Sequence, residues 1–389
     1  MPSRLQTAAR AWRRLDRPWA AVLVTGLLVL LFVGVRATTN VGSLEGFVVA
    51  GDGVVDAASG LPRVPGSGYD GQFIWQLSQD PLTHDPHAFG VRTDTAAYRQ
   101  QRVALPAVVW ALHEVTGISH ALLLVAVNVL ALLGTAWAGA LLARHFGRHA
   151  MWGVALALSP GLVLALARDL NEPLSALGLL AGLYLWCRGR PALATLPFLL
   201  AVLARETTLS VLAGLGLWAV WSAVRHRDLR RVRPALWLLV PLAVATGWQL
   251  HLQQVWGVLP FRANEGNLST PLVGFLPSVL RLGGAANPVV QELFRAERVV
   301  LLGLLVGLLV LLRRSRVPAD LRAGFVLACL LAFGLTSWRA DVQFLRGANE
   351  ALLLGLVVAM GLPALPRRLV LMGSLLLSAA VFGLHAVVA

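Results

Sequence analysis

The chain has 389 residues, of which 57% are hydrophobic and only 13% are charged. Water-soluble domains carry about 25% charged residues, so this composition excludes a soluble globular enzyme. The apolar residues fall in repeated blocks, many of them near the length of about 20 residues that crosses a bilayer as a helix. We therefore predict an all-α polytopic membrane protein whose residues 1–389 form a single integral membrane domain.

The basic residues are unusual because all 33 are arginine, and the sequence contains no lysine. This bias, with the abundant Ala, Leu, Gly and Val, is typical of a high-GC bacterial genome, so we expect a bacterial plasma-membrane protein. The net charge of +14 does not indicate a nucleic-acid partner, because the arginines lie between hydrophobic blocks and form no continuous basic face. Cys187 and Cys329 lie inside apolar segments, which argues against a disulfide framework or a cysteine metal site.

Eleven apolar segments are predicted to span the membrane, and the first is not expected to be cleaved as a signal peptide. They are 19–35, 119–143, 150–167, 173–187, 191–204, 207–224, 234–256, 299–312, 323–337, 347–362 and 369–387. Segment 103–116 is shorter and contains Pro106, His113 and Glu114. It forms either a twelfth span or a re-entrant or surface-lying helix.

Charge asymmetry decides between these alternatives. If 103–116 does not span, the inner loops hold 20 arginines and three aspartates, and the inner and outer sides sum to +17 and −3. This is a strong positive-inside bias, and it would be lost if segment 103–116 crossed the membrane. We therefore predict a cytoplasmic basic N-terminus at 1–18 and two large outer regions at 36–118 and 257–298. The first should carry short helices at the membrane surface.

Sixteen of the nineteen acidic residues then lie on the outer side. An ionisable group at the centre of a membrane costs about 2.5–3.5 kcal/mol and is a candidate functional residue. Five outer junctions place arginine beside a carboxylate, and this repetition predicts a shared polar cavity. The junctions are 68–80 with 98–102, 167–173, 203–208, 261–265 and 338–346.

The first junction contains a short amphipathic pattern, in which Phe73, Ile74 and Leu77 share one face at helical spacing. Asp70 precedes this helix between two glycines. Because helix N-termini favour carboxylates, Asp70 is interpreted either as a helix cap or as a catalytic group, and composition alone favours the cap.

The segments 69–73, 98–102 with Pro106, 168–173 and 205–207, read in order, resemble bacterial members of the GT-C glycosyltransferase superfamily. The chain looks most similar to the predicted mannosyltransferase branch near the PIG-V and GT87-type families. The resemblance implies a GT-C-like bundle and a polyprenyl-phosphate sugar donor, with transfer on the outer face. It also implies an essential acid in the first outer loop, which here matches Asp70. The secondary acidic candidates are Asp80, Asp169, Glu172 and Glu206.

A mechanism of this kind needs positive charge on the departing phosphate, which arginine supplies with bidentate geometry. The candidates for phosphate binding are Arg205, Arg262 and Arg346, followed by Arg168 and Arg339. Asp70 would accept the proton of the acceptor hydroxyl, which predicts an inverting transfer. The residues expected to line the site are Tyr69, Gln72, Arg99 and Arg102. Mannose is implied by the resemblance alone, and the acceptor is left open among glycolipid, polysaccharide and protein.

Two further interpretations concern a metal and a different class of protein. The loop 84–87 offers His, Asp and His, but one such cluster does not favour a metal, and no cofactor is expected. The alternative function is a secondary transporter or flippase of a lipid-linked or small anionic substrate. Transporters typically show internal repeats and sites near the bilayer midplane. The sequence has no clear repeat and its charges lie at helix ends, which favours the enzyme.

Overall fold

The computed structural model describes residues 14–39, 42–263, 266, 268, 270, 273, 288–335, 338 and 343–387. This part of the chain is almost entirely helical, and its one sheet is a parallel pair of two-residue strands, β1 (Ala50–Gly51) and β2 (Arg63–Val64). The predicted all-α class is therefore confirmed.

The α-helices, in chain order, are α1 (Pro18–Thr39), α2 (Gly71–Gln79), α3 (Ala96–Gln100), α4 (Ala104–Thr116), α5 (His120–His145), α6 (Trp152–Ala157), α7 (Pro160–Leu166), α8 (Glu172–Cys187), α9 (Pro191–Ala204), α10 (Leu209–His226), α11 (Leu239–Trp256), α12 (Pro288–Leu311), α13 (Ala319–Gly334), α14 (Gln343–Gly347), α15 (Asn349–Met360) and α16 (Ala364–Val387). Short 3₁₀ segments join several of them.

Within the described residues, five helices are long and apolar enough to cross a membrane. These are Pro18–Thr39, His120–His145, Glu206–His226, Leu229–Trp256 and Ala364–Ala386, where the third and fourth include the 3₁₀ turns that precede α10 and α11. The protein is thus a membrane-embedded helical protein. The predicted number of eleven spans is not confirmed by these lengths.

Two predicted spans differ from the observed helices. Segment 150–167 is broken into α6 and α7 at Ser159, because Pro160 has no backbone N–H and instead starts a new helix. Helix α12 begins at Pro288, eleven residues before the predicted start at 299. Its first turns contain charged residues that interrupt the apolar pattern, so the sequence assigns them to the outer region 257–298. A helix accommodates such charged residues at its end.

Segment 104–116 forms α4, which packs against α2 and α5. Its 13 residues extend about 20 Å, less than the roughly 30 Å of a hydrocarbon core. Trp110 and Val115 are exposed along it. The re-entrant or surface-lying assignment of this segment stays a prediction.

Helix α5 packs against α1, α6 and α8, while α9 packs against α8, and α10 against α13. The close approach of α7 and α14 depends on Gly161 in α7. A Cβ added at this residue would lie 2.6 Å from the Leu345 carbonyl oxygen. This contact holds α14 against α7. It also fixes the position of Arg346, the next residue of α14.

Candidate active site

A cavity of about 540 Å³ opens where the C-terminal end of α9 meets the N-terminal ends of α10 and α14. Its polar side is formed by Asp70, Tyr98, Arg99, Gln101, Arg102, Arg205, Glu206, Thr207, Gln249, Gln343 and Arg346. Its apolar side includes Val202, Leu203, Leu209, Ala245, Leu331 and Leu335. The cavity is therefore amphipathic, because charged and apolar side chains both line it.

Asp70 lies immediately before α2, but its side chain makes no capping hydrogen bond. Its two oxygens instead pair with separate arginines, Oδ1 with Arg99 Nη1 at 2.8 Å and Oδ2 with Arg346 Nη1 at 2.7 Å. Burial disfavours the charged carboxylate, but Arg346 and Arg99 outweigh it and hold the pKa of Asp70 below its ordinary value. The structure thus places Asp70 in the cavity wall as an ionised group and not as a helix cap.

The glycine after Asp70 permits this placement. A Cβ added at Gly71 would lie 2.4 Å from the Arg168 carbonyl oxygen and 2.7 Å from that of Val48. Only a residue without a side chain allows the start of α2 to sit against the turn before α8. On the same turn, the Arg168 guanidinium stacks 4.0 Å from the centre of the Tyr69 ring.

Arg205 and Arg346 share a buried partner behind the cavity wall. Oε1 of Glu172 accepts from Arg346 Nε at 2.6 Å and also from Arg205 Nη1. Arg205 additionally pairs through Nε with Glu350 Oε1 at 3.1 Å and donates through Nη2 to the Arg346 carbonyl oxygen at 2.8 Å. Because Glu172 is only 1% exposed, it orients the two guanidinium groups from behind and does not face the cavity.

Arg102 forms a second ion pair on the cavity wall. Its Nε and Nη2 donate to the two carboxylate oxygens of Glu206 at 2.9 and 2.6 Å, and Nη2 also donates to the Tyr98 hydroxyl at 2.8 Å. This bidentate geometry fixes the plane of the guanidinium group.

Each arginine on the cavity wall is paired with a carboxylate. Among the described residues, four arginines and two carboxylates, Asp70 and Glu206, line the cavity. Glu172 and Glu350 lie behind the arginines and are almost completely buried. An anionic group entering the cavity therefore meets donors that are already oriented, which is the arrangement expected of an anion site.

A separate part of the wall is rich in amide and aromatic groups. Gln249 Nε2 donates to Gln101 Oε1 at 3.0 Å, and the Trp248 indole N–H donates to the Gln100 carbonyl oxygen at 3.3 Å. These bonds hold α11 against α3 and fix the Trp248 ring beside the cavity. Neutral amides offer both donors and acceptors, which suits a ligand that carries hydroxyl groups.

The helices that end at this cluster are short. Helices α8, α9 and α15 have 16, 14 and 12 residues. At 1.5 Å per residue they extend about 24, 21 and 18 Å, less than a hydrocarbon core of about 30 Å. A cluster at their ends lies below the level of the lipid headgroups if the opposite ends reach the other surface.

The structure therefore brings together most of the predicted site residues. Those in or directly against the cavity cluster are Tyr69, Asp70, Arg99, Arg102, Arg168, Glu172, Arg205, Glu206 and Arg346. They come from four of the five predicted junctions, which are far apart in sequence.

Several predicted residues lie outside the cavity. Asp80 is exposed and closes a turn by accepting from the Leu82 N–H at 3.0 Å. Asp169 is completely buried in a left-handed conformation, with Asn128 Nδ2 3.5 Å from its Oδ1. Neither side chain lines the cavity.

Gln72 and Arg262 also lie outside the cavity. Gln72 is buried and bonds the backbone of the first outer region, accepting from Gly51 N–H and donating to the Ser67 carbonyl, so it stabilises that region. Arg262 is exposed, stacks on Phe261 at 5.9 Å and does not line the cavity. Arg339 lies outside the described residues.

Sequence reasoning missed Glu350 and the wall formed by α11. Glu350 follows Arg346 by four residues, a spacing that places both near one face of a helical segment, but it opens an apolar helix and was counted with that helix. Trp248 and Gln249 lie in the middle of a predicted span and carry no charge. Their place in the cavity follows only from tertiary packing.

Among the described residues, no group of three or more His, Cys, Asp or Glu side chains is placed to hold a metal ion. In the loop 84–87, Asp85 Oδ1 accepts from the His87 N–H at 2.8 Å, so this carboxylate closes a turn. No protein-family model matches the chain, and no curated protein matches it significantly.

Proposed function

We propose that the protein is a membrane glycosyltransferase that moves a sugar from a polyprenyl-phosphate donor to an acceptor hydroxyl. The observation that carries the proposal is the cavity itself, which has a polar wall with four arginines and Asp70 and also an apolar wall. A donor with a phosphate head and a hydrocarbon tail matches these two walls. Mannose is the sugar that the resemblance to GT-C enzymes implies, and the acceptor is a glycolipid, a polysaccharide or a protein.

The phosphate is assigned to the arginine side of the cavity. Arg346 and Arg99 already contact Asp70, and Arg102 and Arg205 complete the wall. Charge-assisted hydrogen bonds from these groups would stabilise the phosphate as the bond to the sugar breaks. The polyprenyl chain would lie along the apolar wall, near Leu203 and Leu331.

Asp70 is proposed as the base. Its carboxylate would accept the proton of the acceptor hydroxyl, whose oxygen forms a bond to the anomeric carbon while the bond from that carbon to the phosphate oxygen breaks. The polyprenyl phosphate leaves with the bonding electron pair, and the configuration at the anomeric carbon is inverted. The lowered pKa keeps Asp70 ionised in the empty site. Arriving phosphate would compete for Arg346 and Arg99, which would free the carboxylate to act.

The sugar is proposed to occupy the wall formed by Trp248, Gln249 and Gln101. An indole ring fixed by its N–H presents an apolar face to the C–H groups of a pyranose, and the two amides can bond its hydroxyls. The site is proposed to face the outer side of a bacterial plasma membrane, with the N-terminus in the cytoplasm, on the basis of the positive-inside bias.

The test is a transfer assay with the purified protein in lipid, radiolabelled polyprenyl-phosphate mannose and native membrane lipids. Wild-type protein should pass label to a new product, and Asp70→Asn should lower the rate by about 10²–10⁴-fold because it removes the base. Asp80→Asn is the matched control, since it makes the same change at an exposed turn in the same region. Transfer by Asp70→Asn at the wild-type rate would remove Asp70 as base. Folded protein that transfers none of several polyprenyl-phosphate sugars would favour the transporter or flippase instead.

A further inference from the structure

The end of α15 remote from the cavity is surrounded by arginines. Helix α15 begins beside the cavity with Glu350 and ends at Met360. Its 12 residues separate the two ends by about 18 Å. The groups around Met360 therefore form a second charged region on the opposite side of the protein from the cavity.

Two loops and the first turn of α16 contribute to this region by binding three consecutive carbonyl groups. Arg148 Nε donates to the Met360 carbonyl oxygen at 2.6 Å, and Arg367 Nη1 donates to that of Leu362 at 3.0 Å. The backbone N–H of Arg316 donates to the carbonyl oxygen of Gly361 at 3.1 Å. Arg148, Arg316 and Arg367, here called the arginine triad, are thus brought together by the end of α15.

The approach of these loops is tight and depends on Gly361. A Cβ at this residue would lie 2.5 Å from Ser315 Oγ and 2.8 Å from the Arg316 backbone nitrogen. Ser315 Oγ also donates to the Val358 carbonyl at 2.6 Å. The backbone at Arg316 and the side chains of Arg148 and Arg367 are therefore held at the end of α15 by hydrogen bonds.

The triad carries uncompensated positive charge. None of its three guanidinium groups has a carboxylate within ion-pair distance in the part of the chain that the structure describes. Asp16 belongs to the same end of the protein, but its Oδ1 accepts from the Ala150 N–H. Burial lowers the pKa of Arg148, and the neighbouring charges of Arg367 and Arg316 lower it further.

The hydrogen bonds to the end of α15 use only part of the N–H donors of Arg148 and Arg367. A cation at a helix C-terminus is favourable, and this explains one nitrogen each of Arg148 and Arg367. A guanidinium group has five N–H donors, so most donors of these two side chains are left over. The exposed Arg316 guanidinium makes no hydrogen bond to another described residue.

We propose that the arginine triad binds the phosphate of an anionic phospholipid headgroup. Phosphate supplies the missing negative charge and matches guanidinium geometry, and basic pockets between helix ends are typical sites for such headgroups. On α16, next to Arg367, the exposed side chains of Leu365, Leu369 and Met372 share one face and offer a surface for the acyl chains. This site is independent of the transfer reaction proposed for the cavity.

The test is native mass spectrometry of the delipidated full-length protein with equimolar phosphatidylglycerol and phosphatidylcholine of the same acyl chains. Wild-type protein should retain phosphatidylglycerol preferentially. Each of R148Q, R316Q and R367Q should weaken its binding about tenfold, the loss expected for one hydrogen bond to a charged phosphate. R316Q removes no hydrogen bond seen within the described chain, so it keeps the test decisive if R148Q does not fold.

The matched control is R313Q/R314Q, which removes two exposed arginines next to the same loop and should change binding by less than twofold. Equal weakening by R313Q/R314Q and by R316Q/R367Q would overturn the proposal, and so would equal retention of phosphatidylcholine. Inorganic phosphate is the second probe. If it binds as tightly as phosphatidylglycerol and is lost in R316Q, the triad holds a soluble phosphate and the lipid assignment is overturned.

Discussion

Arg346 joins Asp70 to Glu172 through two different nitrogen atoms of one guanidinium group. Nη1 lies 2.7 Å from Asp70 Oδ2, and Nε lies 2.6 Å from Glu172 Oε1. The carboxylate on the cavity wall and the carboxylate behind it are therefore positioned by the same side chain. Any movement of Arg346 changes both partners together.

This relationship predicts that Arg346→Lys will be severely impaired although it keeps the charge. A single ammonium group cannot reproduce two fixed, separated hydrogen bonds, so we expect kcat/KM for sugar transfer to fall by about 100-fold. Arg295→Lys is the control, because within the described part of the chain Arg295 pairs with the exposed Glu292 alone, at 3.4 Å. Thermal unfolding of both variants separates lost folding from lost activity. Wild-type kcat/KM in Arg346→Lys would contradict the role assigned to Arg346.

Gly71→Ala should disturb the site without changing any charged group. The new Cβ would meet two backbone oxygens at 2.4 and 2.7 Å, so α2 must move away from the turn that holds Arg168. We expect a loss of stability of about 1–3 kcal/mol and reduced transfer. Gly34→Ala is the control, since nothing lies within 4 Å of the added Cβ and alanine favours a helix. If the two variants unfold at the same temperature, the close approach at Gly71 is not required.

The pKa of Asp70 gives a prediction with a definite sign. Because the folded-state pKa is below the unfolded value of about 3.9, the ion pairs of Asp70 stabilise the fold above that pH. Their contribution is lost only as the pH falls toward the lowered pKa. The difference in unfolding free energy between wild type and Asp70→Asn should therefore be constant from about pH 7 to pH 5 and shrink below about pH 4. A difference that already vanishes between pH 7 and pH 5 would contradict the ion pairs.

The orientation of the protein can be tested with single cysteines after Cys187 and Cys329 are replaced by alanine. Ser67 and Arg313 are both exposed and lie at opposite ends of the molecule according to the charge asymmetry. Ser67→Cys should react with a membrane-impermeant thiol reagent in intact cells, and Arg313→Cys should react only after lysis. The reverse pattern would place the cavity on the cytoplasmic side and would contradict a sugar donor bound at the outer face.

Much of the site could be predicted from local sequence because charged residues at the ends of apolar helices are rare. Arg205 and Arg346 are selected in this way, whereas Asp70 is selected by the family resemblance, and the structure brings all three to one cavity. The same reasoning selected Arg262, which is exposed, since a loop arginine has no sequence signal that separates cavity from solvent.

The remaining differences arise from tertiary packing and backbone conformation. Asp169 adjoins Arg168 in sequence, but its left-handed backbone, at φ 48°, accompanies burial of its side chain away from the cavity. Trp248 lies within an apolar helix, and its sequence context predicts a lipid-facing residue. Its position beside the cavity follows from the packing of α11 against α3. The break between α6 and α7 was overlooked because the hydrophobic pattern continues through Pro160.

The central claim is that the arginine wall holds the phosphate of a polyprenyl donor, and direct binding of polyprenyl phosphate tests it. The dissociation constant should be measured in detergent for wild type, Arg346→Gln, Arg99→Gln and Arg262→Gln. A lost hydrogen bond to a charged group costs about 1.5–3 kcal/mol, so the first two variants should bind about 10- to 100-fold more weakly. Arg262→Gln, which removes an exposed arginine outside the cavity, should bind like wild type. Unchanged affinity in folded Arg346→Gln and Arg99→Gln would show that the phosphate does not bind there.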